Sequence, residues 1–178
     1  MKKNQILKWE LLGVVFISLL GSFLHFVFAL LGEWPPAALI AAVNESVWEH
    51  LKLAFWPALI YALIEWPFFR KHSKHFWAAK ALGIFAMPVI ITAIFYTYTA
   101  LTGHHILWVD ITSFVVAVFA GQMISCGLLL RQSFVFRIKI LAVVLWIMMI
   151  AAFSLFTFFP PHAPLFYDHR AGHYGIVR

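Results

Sequence analysis

The sequence predicts an all-α integral membrane protein, a bundle of five spans, and two observations carry that prediction. The chain has 178 residues, of which 63% are hydrophobic and 11% charged, with a mean hydropathy of +0.90; soluble domains carry roughly 25% charged residues. Its apolar residues also fall into long runs, about 8–31, 47–69, 77–101, 106–130 and 138–159, each longer than the roughly 18 residues at which a run reads as a membrane span. The second run qualifies only if its polar first turns are tolerated. Connections are short and no internal repeat is visible, so 1–178 reads as a single transmembrane domain.

The net charge of +6 suits nucleic acid in principle, but its distribution argues for lipid instead. The segments 32–46 and 102–105 and the tail 160–178 carry only Arg170 and Arg178. The N-terminus, the other two loops and their flanking turns hold Lys2, Lys3, Lys8, Arg70, Lys71, Lys74, Lys80, Arg131, Arg137 and Lys139. Lysine and arginine are retained on the cytoplasmic side, which places the N-terminus inside and the C-terminus outside. The expected partner is the lipid bilayer, with the basic clusters against anionic headgroups, and no nucleic acid. The single cysteine, Cys126, lies in the fourth span and permits no intrachain disulfide.

Each element has its own reading. The first span follows Lys2 and Lys3 as a signal peptide would, but its apolar run is too long and GEWPP follows it, so a retained anchor is expected. Ser18, Gly21, Ser22 and His25 fall at i, i+3, i+4 and i+7, a small-residue face expected to point inward. In the third span Pro88 removes a backbone hydrogen bond and predicts a kink, while Thr92, Tyr96 and Thr99 share a polar face. Asp110, Ser113, Ala117 and Gly121 give the fourth span an inward face. The fifth span is nearly featureless and reads as packing. The tail, PPHAPLFYDHRAGHYGIVR, is too aromatic for a free end and is expected to fold over the outer mouth.

The second span begins with NESVWEHLK, residues 44–52. Ser46 and Glu49 fit a capping box, in which each side chain satisfies a free backbone N–H at the helix start, and Trp48 reads as an interfacial anchor. Capping leaves Glu45, His50 and Lys52 unexplained. At a helical period, Lys52, Glu45, Glu49, Ser46 and His50 span roughly 160° of the wheel, a wedge running into the span. Ionisable groups at that depth need partners or a cavity, and Lys52 can reach Glu49 three residues back.

The outer half supplies further groups: seven of the nine histidines (His25, His50, His104, His105, His162, His169, His173) and five of the seven acids (Glu33, Glu45, Glu49, Asp110, Asp168). Imidazole with carboxylate is the ligand set for zinc and the equipment for proton transfer near neutral pH. His25 reads as a packing residue and His104 and His105 as solvated. His169 and His173 have an i, i+4 spacing that Gly172 makes unsuitable for a helix. Glu10 and Glu65 read as solvated, or paired with nearby Lys and Arg, at the cytoplasmic interface.

N-E-S-x-W-E-H-x-K-L, together with F-P-P-x-x-P-L-F-x-D and a following Y-G-I, resembles a family of small bacterial multipass membrane proteins. The resemblance covers most of the chain and implies a multipass protein of the bacterial cytoplasmic membrane. It makes Asn44, Glu45, Ser46, Trp48, Glu49, His50 and Lys52 one signature, and Pro160, Pro161, Pro164, Leu165, Phe166 and Asp168 another. No activity comes with it.

The residues point to a membrane-embedded hydrolase or transferase acting on a lipid-like small molecule at the outer leaflet. Glu49 or His50 would be the general base, and Asp110 would orient a histidine or share with His50 a divalent metal such as zinc. Asn44, Glu45, Ser46, Lys52 and Asp168 would hold the substrate, with Lys52 on an anionic headgroup. A metal would make bound water a nucleophile near neutral pH; His and Glu can otherwise act as acid and base. Two other readings compete: a proton- or cation-coupled transporter, with Pro57 and Pro88 breaking helices at a central site, and an assembly factor docking a partner membrane protein. The orientation has a direct test. A reporter fused after Arg178 should be active only outside the cytoplasm, and activity inside would reverse the assignment of every histidine in the tail.

Overall fold

A computed structural model describes residues 2–131 and 134–176. Its helices are α1 (Lys3–Leu30), α2 (Val47–Phe69), α3 (Phe76–Thr102), α4 (Leu107–Leu129) and α5 (Phe136–Leu155). Four of them, α1, α3, α4 and α5, are long and apolar enough to cross a membrane, and the architecture is that of a membrane helical bundle. α2 has the length, about 35 Å at 1.5 Å per residue, but Glu49, Lys52 and Glu65 set it apart from these four. The polar start of the expected second span is therefore the point at which five runs become four unambiguous ones.

α1 packs on α2 and α4, and α3 packs on α2 and α4, closing a ring of four helices; α5 lies outside against α3. α1 buries Ile6, Glu10, Gly13, Ile17, Gly21, Leu24 and Phe28, a stripe repeating every three to four residues as a helix packed on one side requires. This corrects the expected face. Gly21 is central, Ser18 and His25 flank the stripe half-buried, and Ser22 is exposed. α2 is the most enclosed helix, with 13 of its 23 residues buried. α5 buries just Ala142, Leu145, Met149 and Phe153, in keeping with a packing role. α2 continues through Pro57 and α3 through Pro88, so neither proline breaks its helix.

Glycine sets how closely the ring closes. A Cβ on Gly83 would sit 2.6 Å from the Gly121 carbonyl oxygen, and a Cβ on Gly121 would sit 2.6 Å from the Gly83 oxygen. α3 and α4 thus meet backbone to backbone, the contact that small residues permit in lipid. On α1, a Cβ at Gly21 would meet the Leu53 carbonyl oxygen at 2.5 Å.

Between α1 and α2 the chain turns through a short 3-10 helix, Pro35–Leu39, whose Ala37 and Ala38 are buried. After α5 it forms a second 3-10 turn, Pro164–Phe166, and a two-stranded antiparallel hairpin, β1 (Tyr167–Asp168) and β2 (His173–Tyr174). Gly172 has φ +76°, so His169 and His173 sit on opposite arms of a turn and not on one helix face. The ring closure predicts that Gly121→Ala lowers stability in detergent by about 1–3 kcal/mol through overpacking. Gly127→Ala, where a Cβ meets nothing within 4 Å, should leave thermal unfolding unchanged or raise its midpoint.

Candidate metal centre

The start of α2 is fixed by its own polar residues. Ser46 is the N-cap, and its Oγ accepts from the Glu49 N–H at 3.4 Å. The reciprocal half of the expected capping box is missing. Ser46 N–H donates to Asn44 Oδ1 at 2.9 Å, while Glu49 Oε2 accepts from Val43 N–H at 3.0 Å. Glu49 is drawn away by Lys52, whose Nζ lies 2.7 Å from Glu49 Oε2 and donates to Ala38 O at 2.7 Å and Thr157 Oγ1 at 2.8 Å. Thr157 in turn donates to Glu49 Oε1 at 3.1 Å. An ammonium has three donors, and here all three are taken. Lys52 and Glu49 are 0% and 2% exposed. The expected substrate-facing lysine and general base therefore form a buried, self-satisfied pair behind the surface.

What faces outward is a different constellation. His25 Nε2 of α1 lies 3.2 Å from His50 Nε2 of α2. Glu45 Oε1 is 3.7 Å from His25 Nε2, and Glu45 Oε2 is 3.7 Å from His50 Nε2. One ligand atom from each of the three lies within 4.8 Å of the others. Two nitrogens each about 2.0–2.1 Å from a tetrahedral zinc would sit about 3.3–3.4 Å apart, so the spacing of the imidazoles is already that of a ligand pair. His50 Nδ1 lies 2.8 Å from the Ser46 carbonyl oxygen. A carbonyl requires a donor, so the proton is on Nδ1 and the Nε2 lone pair is free toward the cluster, the usual outer support of a metal-binding histidine. His25 Nδ1 is buried and has no hydrogen-bond partner among the described residues.

Two of its members, His25 and Glu45, line an open cleft of about 260 Å³ together with Phe28, Ala29, Glu33, Asn44, His173 and Ile176. Glu33 has φ +60°, a left-handed conformation that a residue with a side chain seldom adopts and that is often kept at functional sites. The tail holds this wall in place. Asn44 Nδ2 donates to Gly175 O at 3.0 Å, and the Glu45 N–H donates to Asp168 Oδ2 at 3.0 Å. Arg170 Nη1 lies 3.8 Å from Glu45 Oε2. Trp48, expected as an interfacial anchor, is instead buried and stacks on Phe153 with Phe166 of the tail beside it.

Of the residues singled out from sequence, Asn44, Glu45, Ser46, His50 and Asp168 come together here. Asp168 meets the Glu45 backbone and neither Lys52 nor His50. Asp110 is elsewhere: it lies in the first turn of α4, accepts from Tyr98 Oη and sits 3.5 Å from His105 Nδ1, with Tyr98 Oη also accepting the Ile106 N–H. It pins the α3–α4 connection and contributes no atom to the cluster of His25, Glu45 and His50. His25, expected as a packing residue, lies half-buried on the flank of the α1 stripe with His50 as its hydrogen-bond partner, a pairing that the sequence does not indicate. For Glu10 and Glu65, expected to be solvated or paired with a nearby basic residue, the pairing holds. Both are 0% exposed and share Lys80.

The chain belongs to a family of unknown function, DUF6512, whose pattern matches residues 1–176. No curated protein and no solved structure matches it. The family agrees with the resemblance to an uncharacterised family and brings no activity to the site.

Burial pushes the Asp168 carboxyl up, but the backbone N–H groups of Glu45, Ala171 and Arg170 donate to it and the net result lies below the usual aspartate value. The stability it contributes is therefore complete above about pH 3.9 and is lost as pH falls through the lower folded value. Asp168→Asn should release the tail already at neutral pH, at a cost of about 1–3 kcal/mol. Limited proteolysis between residues 160 and 176 checks this; unchanged resistance would remove Asp168 as the anchor.

Proposed function

We propose that this chain is a membrane-embedded, metal-assisted hydrolase or transferase acting on a lipid-like small molecule at the outer face of a bacterial cytoplasmic membrane. The observation that carries the reading is the His25–Glu45–His50 cluster, two of whose members line a cleft of mixed polar and apolar character. Three protein ligands of this type leave a position for water or substrate, as catalytic zinc sites do and closed structural sites do not. The metal would supply a hydroxide-like nucleophile near neutral pH and polarise the substrate oxygen.

The chain's own residues take the remaining roles. His25 and His50 present Nε2, with the His50 proton parked on Nδ1 by the Ser46 carbonyl. Glu45 gives the third ligand and balances charge. His173, whose Nδ1 is buried without a hydrogen-bond partner among the described residues and whose side chain lines the cleft, takes the part of proton acceptor. Arg170, beside Glu45 and largely exposed, takes the part of headgroup recognition expected of Lys52. Phe28, Ala29 and Ile176 supply an apolar wall for an acyl or isoprenoid portion. In this reading α2 crosses the membrane as the second of five spans, the N-terminus is cytoplasmic, and the tail covers the outer mouth.

Elemental analysis of the detergent-purified full chain incubated with zinc tests the reading. A single equivalent per chain is expected, falling well below stoichiometry in His25→Ala and His50→Ala while both variants remain folded. A wild type without retained zinc, or variants that keep a full equivalent, would leave the imidazoles as a hydrogen-bonded packing pair and sink the enzyme proposal.

A further inference from the structure

The mechanism proposed above makes no use of a second group of fully buried charges. Glu10 of α1, Glu65 of α2 and Lys80 of α3 meet inside the helix ring at 0%, 0% and 1% exposure. Lys80 Nζ donates to Glu10 Oε1 at 2.8 Å and to Oε2 at 2.9 Å, and is paired with Glu65 Oε2 as well. α4 completes the shell: Ser125 Oγ donates to Glu10 Oε1 at 3.1 Å, and Gln122 Nε2 donates to the Glu10 carbonyl at 3.3 Å. The other titratable groups facing the triad are Tyr61 on α2, whose hydroxyl donates to Trp9 O, and the buried Cys126 on α4. The Tyr61 and Phe76 rings lie 5.9 Å and 5.6 Å from Lys80 Nζ.

The charges do not balance. Two carboxylates share one ammonium, and neither Tyr61 nor Cys126 brings a positive charge. The same helix shows the balanced alternative in Glu49–Lys52, one acid to one base with every donor satisfied. In the triad, Glu65 Oε1 is fully buried and has no hydrogen-bond partner among the described residues. An unsatisfied, uncompensated buried carboxylate is the costly state, and one small positive charge at Glu65 Oε1 removes both the excess charge and the orphaned acceptor.

A cleft lies within about one helical turn of it. This cleft, of about 440 Å³, opens at the end of the bundle that carries His72, Ser73, Lys74, His75 and Arg131, and its floor includes Ile6 and Phe69. Ile6 lies one helical turn before Glu10, and Phe69 one turn after Glu65. We infer that the Glu10–Lys80–Glu65 triad is a second site, which binds one small cation, a proton or a monovalent metal ion, exchanged through this cleft.

Infrared spectroscopy of the full-length protein in detergent, in sodium-free and sodium-containing buffer at neutral pH, tests the inference. A bound proton gives the carbonyl stretch of a neutral carboxylic acid in both buffers. A site that exchanges the proton for sodium gives that band in sodium-free buffer and loses it on sodium addition. In either case Glu65→Gln and Glu10→Gln should each abolish the band, because removing one acid leaves the other balanced by Lys80. Whichever variant folds is sufficient. Absence of the band from the wild type in both buffers, or its persistence in either triad variant that folds, would overturn the inference. Zinc retention at the outer cluster does not enter this readout, so the two sites stand or fall separately.

Discussion

A charge inside an apolar bundle must find its partner inside the bundle, and α2 imposes that requirement three times. Glu49, Lys52 and Glu65 are all essentially inaccessible to solvent, and an ion stripped of water without compensation costs several kcal/mol. The surroundings of α2 are organised around meeting this cost. Lys52 reaches back to the Ala38 carbonyl and so fixes the α1–α2 connection, and across to Thr157, fixing the chain beyond α5. Glu65 draws in Lys80 from α3, which also binds Glu10 from α1. The ring of helices is thus tied at both ends of α2 by electrostatics, and between those ties by glycine-mediated contact and aromatic packing.

The outer cluster is a consequence of the first tie. Because Glu49 turns toward Lys52, one of its oxygens is placed to accept the Val43 N–H, which sets the elbow at residues 43–46. The elbow presents Glu45 outward, and the tail locks it through Asp168 and Asn44. His50, one turn into α2 and oriented by the Ser46 carbonyl, then meets His25. The residues that look most reactive in the sequence, Glu49 and Lys52, serve as the buried support of a site whose accessible members are His25, Glu45, His50 and His173.

Much of the helical framework was legible in the sequence because long apolar runs bound helices unambiguously. The expected run of 47–69 coincides with α2, and the others differ from their helices by a few residues. α1 starts earlier than its apolar run because the polar turn Lys3–Lys8 continues the helix without needing to be apolar. The tail's attachment to the start of α2 was also legible, since a proline-restricted aromatic segment has little reason to stay free. Pairings between helices were not. Nothing local names Lys80 as the basic partner of Glu10 and Glu65, and nothing local brings His25 to His50 and Glu45. Asp110 misled for the same reason: its partner Tyr98 is brought to it by the α3–α4 turn, which sequence spacing does not specify.

The dependence of the structure on the pairing of charges along α2 is tested most directly by a double-mutant cycle at Glu49 and Lys52, with stability read in detergent. Glu49→Gln and Lys52→Met each leave a buried charge unpaired, and each should cost about 3–5 kcal/mol. The double variant removes both charges and should be more stable than either single variant. A double variant whose loss equals the sum of the two single losses would contradict the account, because the two residues would then be acting independently of one another.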